Sequence, residues 1–136
     1  MASYNKFNQT VEDMANGVYK CDSDQFAVAL TVVAPVATNS VLADLTEIAY
    51  TNLSTRNLIT LSSGQTGGVF SQLFNDLVLT ASGGSVAAFR YITIYNDSPT
   101  SPADPLLCFY DFGSNLTLAD GETLTIDFTT STFTLA

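Results

Sequence analysis

The chain has 136 residues, 46% of them hydrophobic and only 12% charged, and its thirteen acidic side chains against four basic ones leave a net charge of −9. That length fits one domain, 1–136, with a core that needs no metal or disulfide support. The charge argues against direct binding to nucleic acid or to an anionic membrane surface, and Lys6, Lys20, Arg56 and Arg90 are too scattered to form a basic patch.

So few charges mean that the polar surface is built from Ser, Thr, Asn, Gln and Asp, a composition that suits short strands and turns. Cys21 and Cys108 lie far apart with no CxxC spacing and read as reduced, partly buried thiols. The start, MASYNKFNQT, lacks the basic-then-apolar order of a signal peptide, and no apolar run approaches about 20 residues. Synthesis and folding in a cytoplasm is the expectation.

The first predicted element is a short amphipathic helix within residues 1–18. Phe7, Val11, Met14 and Val18 recur at helical spacing and form one apolar stripe. Ser3 or Asn5 is the expected cap, and Asn16-Gly17 the stop. From residue 25 to 136 the period becomes that of strands. FAVALTVVA (26–34) is an apolar run ended by Pro35, and VLADLTEIAY (41–50) is a strand candidate that could also form a helical turn.

RNLITLSS (56–63) leads into GQTGG (64–68), read as a turn, while Gly83-Gly84 would join NDLVLTAS (75–82) to VAAFRYITIY (86–95) as a hairpin. NDSPTSPADP (96–105), with three prolines, is a loop. In the remaining LLCFYDFG, NLTLADG, ETLTIDF and TTSTFTLA, Leu116 and Leu118 alternate with polar residues, as do Leu124, Ile126 and Phe128. Asp120-Gly121 marks a turn between two of these segments. The whole reads as a mainly β, single-domain antiparallel β-sandwich, jelly-roll-like, behind a short N-terminal amphipathic helix.

Chemistry is sparse. There is no histidine, which removes Ser-His and Cys-His nucleophile pairs and the commonest general base and metal ligand. GQTGG is not followed by the Lys-Ser/Thr of a phosphate loop, and no strand–GxGxxG–helix unit occurs. Asp44 and Glu47, three apart, would point to opposite faces of a strand, and Asp111, Asp120, Glu122 and Asp127 read as turn or strand-edge acids. Asp22-Ser23-Asp24 resembles the start of a calcium loop but lacks its Gly and closing Glu. The expected catalytic residues, metal and cofactor are none.

The residue that demands a role is Arg90, the one cation inside FRYITIYND (89–97). On a strand covered on both faces it needs a carboxylate, for which Glu47 and Asp111 are the candidates, because an unpaired buried charge costs several kcal/mol. Alternatively it sits at an assembly interface and pairs there with a partner.

Taken in order, KF..TVEDMANGVY, FAVALTVVAPVATNSVLADLTEIA, FRYITIYND, FYDFGSNLTLADGET and TIDF resemble a family of small tailed-bacteriophage virion proteins over nearly the whole chain. The resemblance implies a structural role on the capsid exterior, as a head decoration (cement) protein assembled in the host cytoplasm. Its implied partner is the major capsid protein, bound by a homo-oligomer, a dimer or trimer. The family offers no catalytic residues. This chain departs from it after TEI, where AYTNLSTRN replaces a glycine-rich stretch. The N-terminal helix, with Tyr4, Phe7 and Val11 as anchors, is the expected element that reaches the capsid or a sister subunit. Deleting residues 1–17 should then abolish particle binding and leave a folded β-core. A tail or baseplate component and a carbohydrate-binding jelly-roll module, with Tyr50, Tyr91 or Tyr110 stacking on sugar, are the rival readings.

Overall fold

A computed structural model describes residues 3–128 and 131–135. Along the chain it contains β1 (Asn5–Lys6), α1 (Asn8–Ala15), β2 (Phe26–Thr31), a 3-10 turn (Leu42–Asp44), β3 (Thr60–Thr66), β4 (Val69–Phe74), β5 (Leu77–Thr80), β6 (Phe89–Asn96), β7 (Leu106–Leu116), β8 (Thr123–Ile126) and β9 (Phe133–Leu135). The fold is mainly β, with antiparallel sheets and one short helix. The strands form a four-stranded sheet in the order β1-β7-β6-β2, a three-stranded sheet β3-β4-β9 and a β5-β8 pair. Thr129, Thr130 and Ala136 of the expected last segment lie outside the described residues, as do Met1 and Ala2.

The core is written in β2. Phe26, Val28 and Leu30 face one side and join Ile92, Ile94, Phe89 and Leu107 in the larger cluster. Ala27 and Ala29 face the other and join Phe7, Tyr95 and Leu106. A strand buried on both faces reads as a continuous apolar run, which is why FAVALT carries no polar alternation. The free edge of β2 is covered by the irregular segment after the 3-10 turn. Ile48 N–H donates to Leu30 C=O at 3.0 Å, Val28 N–H to Arg56 C=O at 2.9 Å and Leu58 N–H to Phe26 C=O at 2.8 Å. Residues 41–50 therefore do not form a strand; they contribute the 3-10 turn and isolated bridges such as Thr31 with Glu47.

The helix departs from the expected stripe. It starts at Asn8, so Phe7 lies in the extended backbone before it and takes its direction from β1, not from the helical period. Phe7 is fully buried, whereas Val11 is 56% exposed. The face turned inward is Thr10 and Asp13. Thr10 Oγ1 donates toward the carbonyls of Leu106 (2.9 Å) and Leu107 (3.1 Å), and the Tyr19 hydroxyl donates to Leu106 C=O at 2.5 Å. Thr10 is therefore satisfied by β7 backbone, whereas Asp13 Oδ1 accepts Gln9 Nε2 at 3.2 Å and its buried Oδ2 meets no donor among the described residues. No side chain caps the N-terminus; Asn5 Nδ2 donates to Ser3 C=O and Phe109 C=O instead. The stop falls at Asn16-Gly17 as read, with Gly17 at φ +73°.

Two predicted turns resolve differently. Gly64, Gln65 and Thr66 belong to β3, and only Gly67-Gly68, both at positive φ, make the turn into β4. Gly83-Gly84 does not close a hairpin: β5 pairs with β8, and β6 lies between β7 and β2. The glycines instead let the chain pass close to Asn52. A Cβ on Gly84 (φ +145°) would sit 2.6 Å from Asn52 Nδ2. Gly84→Ala is expected to lower stability by about 1–3 kcal/mol, measured by urea unfolding. A variant as stable as the parent would mean that the loop re-forms freely. Asp120-Gly121 is a turn, as read, yet the strand after it goes to β5 rather than back to β7.

Candidate functional site

Arg90 has an intramolecular partner. Its guanidinium meets Asp111 in a two-point pair, Nε to Oδ1 at 2.8 Å and Nη2 to Oδ2 at 3.0 Å. The pair raises the Arg90 pKa and lowers that of Asp111, whose Oδ1 also accepts the Gly113 N–H at 2.8 Å. Of the two candidates the partner is Asp111, but the pair is not buried: the side chains keep 37% and 39% of their exposure. The cause is a register shift. Phe89 pairs with Leu116 and Tyr91 with Asp111, so Phe112–Asn115 loop out of the ladder opposite Arg90. The bulge turns Phe89 onto the same side as Ile92 and Ile94 and leaves Arg90 at the surface.

The more enclosed cation is Arg56, which strand-based reading passes over because it lies in an irregular segment. Its Nη1 donates to Val28 C=O at 2.6 Å, its guanidinium lies 3.6 Å from the centre of the Tyr50 ring, and Glu47 Oε1 is 3.8 Å away. The Tyr50 hydroxyl donates to Glu47 Oε1 at 2.5 Å and accepts the Leu30 N–H at 3.0 Å. Burial, and then the hydrogen bond to Glu47, push the Tyr50 pKa upward. This cluster ties the AYTNLSTRN segment to β2. Its sequence signal is faint: a Tyr, a Glu and an Arg within ten positions.

Of the acids considered as catalytic candidates, Glu47 and Asp111 pair with the two arginines, and Asp44, Asp120 and Glu122 serve backbone groups. Asp120 accepts the Gly83 N–H, Glu122 the Ala119 N–H and Asp44 the N–H groups of Ser40 and Val41. Asp24 likewise accepts the Lys20 N–H and Asn96 Nδ2. Among the described residues no three His, Cys, Asp or Glu side chains gather as a metal-holding group. No helix among them is long and apolar enough to cross a membrane. Burial pushes the Cys108 thiol up to about 12 and, with Asp24 and Asp22 nearby, the Cys21 thiol to about 11, so both are protonated at neutral pH.

What the surface does offer is apolar contact. Tyr4 is 40% exposed and packs edge-on against Tyr110, with ring centroids 6.1 Å apart. The two rings flank a groove of about 440 Å³ that also contains Phe112 and Ile126. Val32, Val33 and Val36 are 44%, 67% and 54% exposed after β2, beside the start of α1, where Asn8 N–H donates to Ala37 C=O at 2.9 Å. Ile59 and Leu61, at 66% and 60%, flank the start of β3. Of the anchors expected on the N-terminal element, Tyr4 and Val11 are thus available to a partner, and Phe7 is enclosed. Tyr50, Tyr91 and Tyr110 are each half-buried, Tyr50 beneath the Arg56 guanidinium.

Comparison of the chain with protein-family models, curated proteins and solved structures finds no match.

Proposed function

We propose that the protein is a structural component of a tailed-bacteriophage particle, a head decoration protein on the capsid exterior that stabilises contacts between major capsid subunits. It acts as a dimer or trimer, takes no cofactor and carries out no catalysis. Its sheets pack as a jelly-roll-like sandwich. The observation that carries this reading is the surface. A chain of net charge −9 gathers exposed apolar side chains on segments free of charge, Val32 to Val41 among them. Such segments suit shallow contacts repeated over many copies, where avidity supplies the strength. The acidic remainder keeps a crowded particle soluble. The resemblance of the ordered sequence blocks to small phage virion proteins supports the same reading.

Purified protein is mixed with mature heads and, separately, with detached tails of the corresponding phage, and the bound ratio is measured by co-sedimentation. Saturable binding to heads at a fixed ratio per capsid subunit is expected. Binding only to tails would replace the reading with a tail or baseplate component. Binding to neither would remove it.

A further inference from the structure

From Asn57 to Asn75 the chain carries no Asp, Glu, Lys or Arg, and Ser131 to Leu135 carries none either. These stretches hold all of β3, β4 and β9, so the three-stranded sheet is free of charge in a molecule of net charge −9. β3 is its outer strand. It pairs with β4 alone, and among the described residues no other backbone group bonds to Thr60–Thr66. In an antiparallel ladder every second residue directs its N–H and C=O away from the neighbour, so β3 presents a row of unpaired donors and acceptors. Most of the strand is also exposed on both faces.

Exposed edges are ordinarily blunted by a Lys, a Pro or a bulge. TLSSGQT has neither residue, and its one irregularity lies at the beginning, between Thr60 and Ser62. Ile59 and Leu61 add apolar side chains at that end.

We infer that β3 is a self-association edge, pairing antiparallel with β3 of a second copy across a two-fold axis to give one continuous sheet through both molecules. Charge selects the occupant. Two copies at −9 repel over most of their surfaces, and the β3-β4-β9 sheet is a place where they can meet without opposing like charges; unlike the charge-free Val32 to Val41 segment, it also offers a strand edge. A two-fold axis is satisfied by one strand pairing with itself, since an antiparallel ladder is its own symmetry mate. The inference concerns the isolated chain and stands apart from what the protein binds.

Sedimentation equilibrium from about 5 to about 200 µM protein tests it. The expected result is a monomer–dimer equilibrium that tightens as NaCl rises from about 20 to about 500 mM, because salt screens the mutual repulsion. Leu61→Lys/Gln65→Lys, which places cations along the edge, should weaken the dimer by about tenfold or more. Ser114→Lys/Thr117→Lys makes the same change in net charge on exposed positions elsewhere and should not weaken it. A monomer under all conditions overturns the inference, as does a dimer unaffected by the edge variant or equally weakened by the control. Should the edge variant not fold, hydrogen exchange of the unaltered protein decides. Amides of β3 that gain protection with concentration support the pairing, and unchanged protection overturns it.

Discussion

Replacing Phe7 by alanine is expected to lower the unfolding free energy by about 3–5 kcal/mol, the range for removing a fully enclosed aromatic ring. The ring is 0% exposed and packs with Ala27, Ala29, Tyr95 and Leu106, 5.3 Å from the Phe109 ring. It covers the face of β2 and β6 that the bulk of the β structure does not. Neither alanine of β2 is large enough to fill the space, so the void stays open. The reading that treats residues 1–17 as a detachable arm makes the opposite prediction, a folded core after their removal. Urea unfolding of Phe7→Ala separates the two: a loss below about 1 kcal/mol would mean that the segment docks loosely. A loss in the stated range would make deletion of residues 1–17 a test of folding before it is a test of particle binding. Val11→Ala, at an exposed position, should change stability by no more than about 0.5 kcal/mol and is the sounder probe of a partner contact.

Arg56→Ala should cost about 2–3 kcal/mol, from a charge-assisted hydrogen bond and a stacked cation lost together. Removing the guanidinium leaves Val28 C=O without that donor, uncovers the Tyr50 ring and leaves Glu47 with only the Tyr50 hydroxyl. Arg56→Lys should recover part of the loss at most, because an ammonium cannot lie flat on the ring while bonding a carbonyl in the same plane. The measurement is again urea unfolding, with Arg90→Ala as the comparison. An Arg56→Ala variant within about 0.5 kcal/mol of the parent would show that the cluster contributes nothing net. The Arg90–Asp111 pair has better geometry but more water around it, so Arg90→Ala is expected to be the milder of the two substitutions.

The contrast between the two arginines shows where sequence reading stops. Arg90 stands out in the sequence because it interrupts the most strand-like run in the chain, and Asp111 is one of its two candidate partners there. Its exposure is not legible in the sequence, because the register shift that carries it outward depends on four residues of β7 bulging from a strand whose own sequence, FYDFGSN, shows only a glycine. Arg56 was legible as a cation and no more. Its partners arrive from β2 and from the segment after the 3-10 turn, and no spacing rule connects them.

Local patterning by itself determined the β-rich character, the proline loop, the helix stop at Asn16-Gly17, the alternation of Leu124, Ile126 and Phe128, and a strand starting at Phe26, which ends at Thr31 rather than at Ala34 because Val32 to Ala34 are exposed. Each of these follows from period, composition or backbone preference within a few residues. Tertiary structure alone decided that β5 pairs with β8, that β6 lies between β7 and β2, that Phe7 is core while Val11 is surface, and that β3 has β4 as its single partner strand among the described residues. Those outcomes turn on which distant strand completes each ladder and which face of a short helix meets exposed carbonyls. Contacts of that kind are selected by the free energy of the whole packed chain, and no local stretch encodes them.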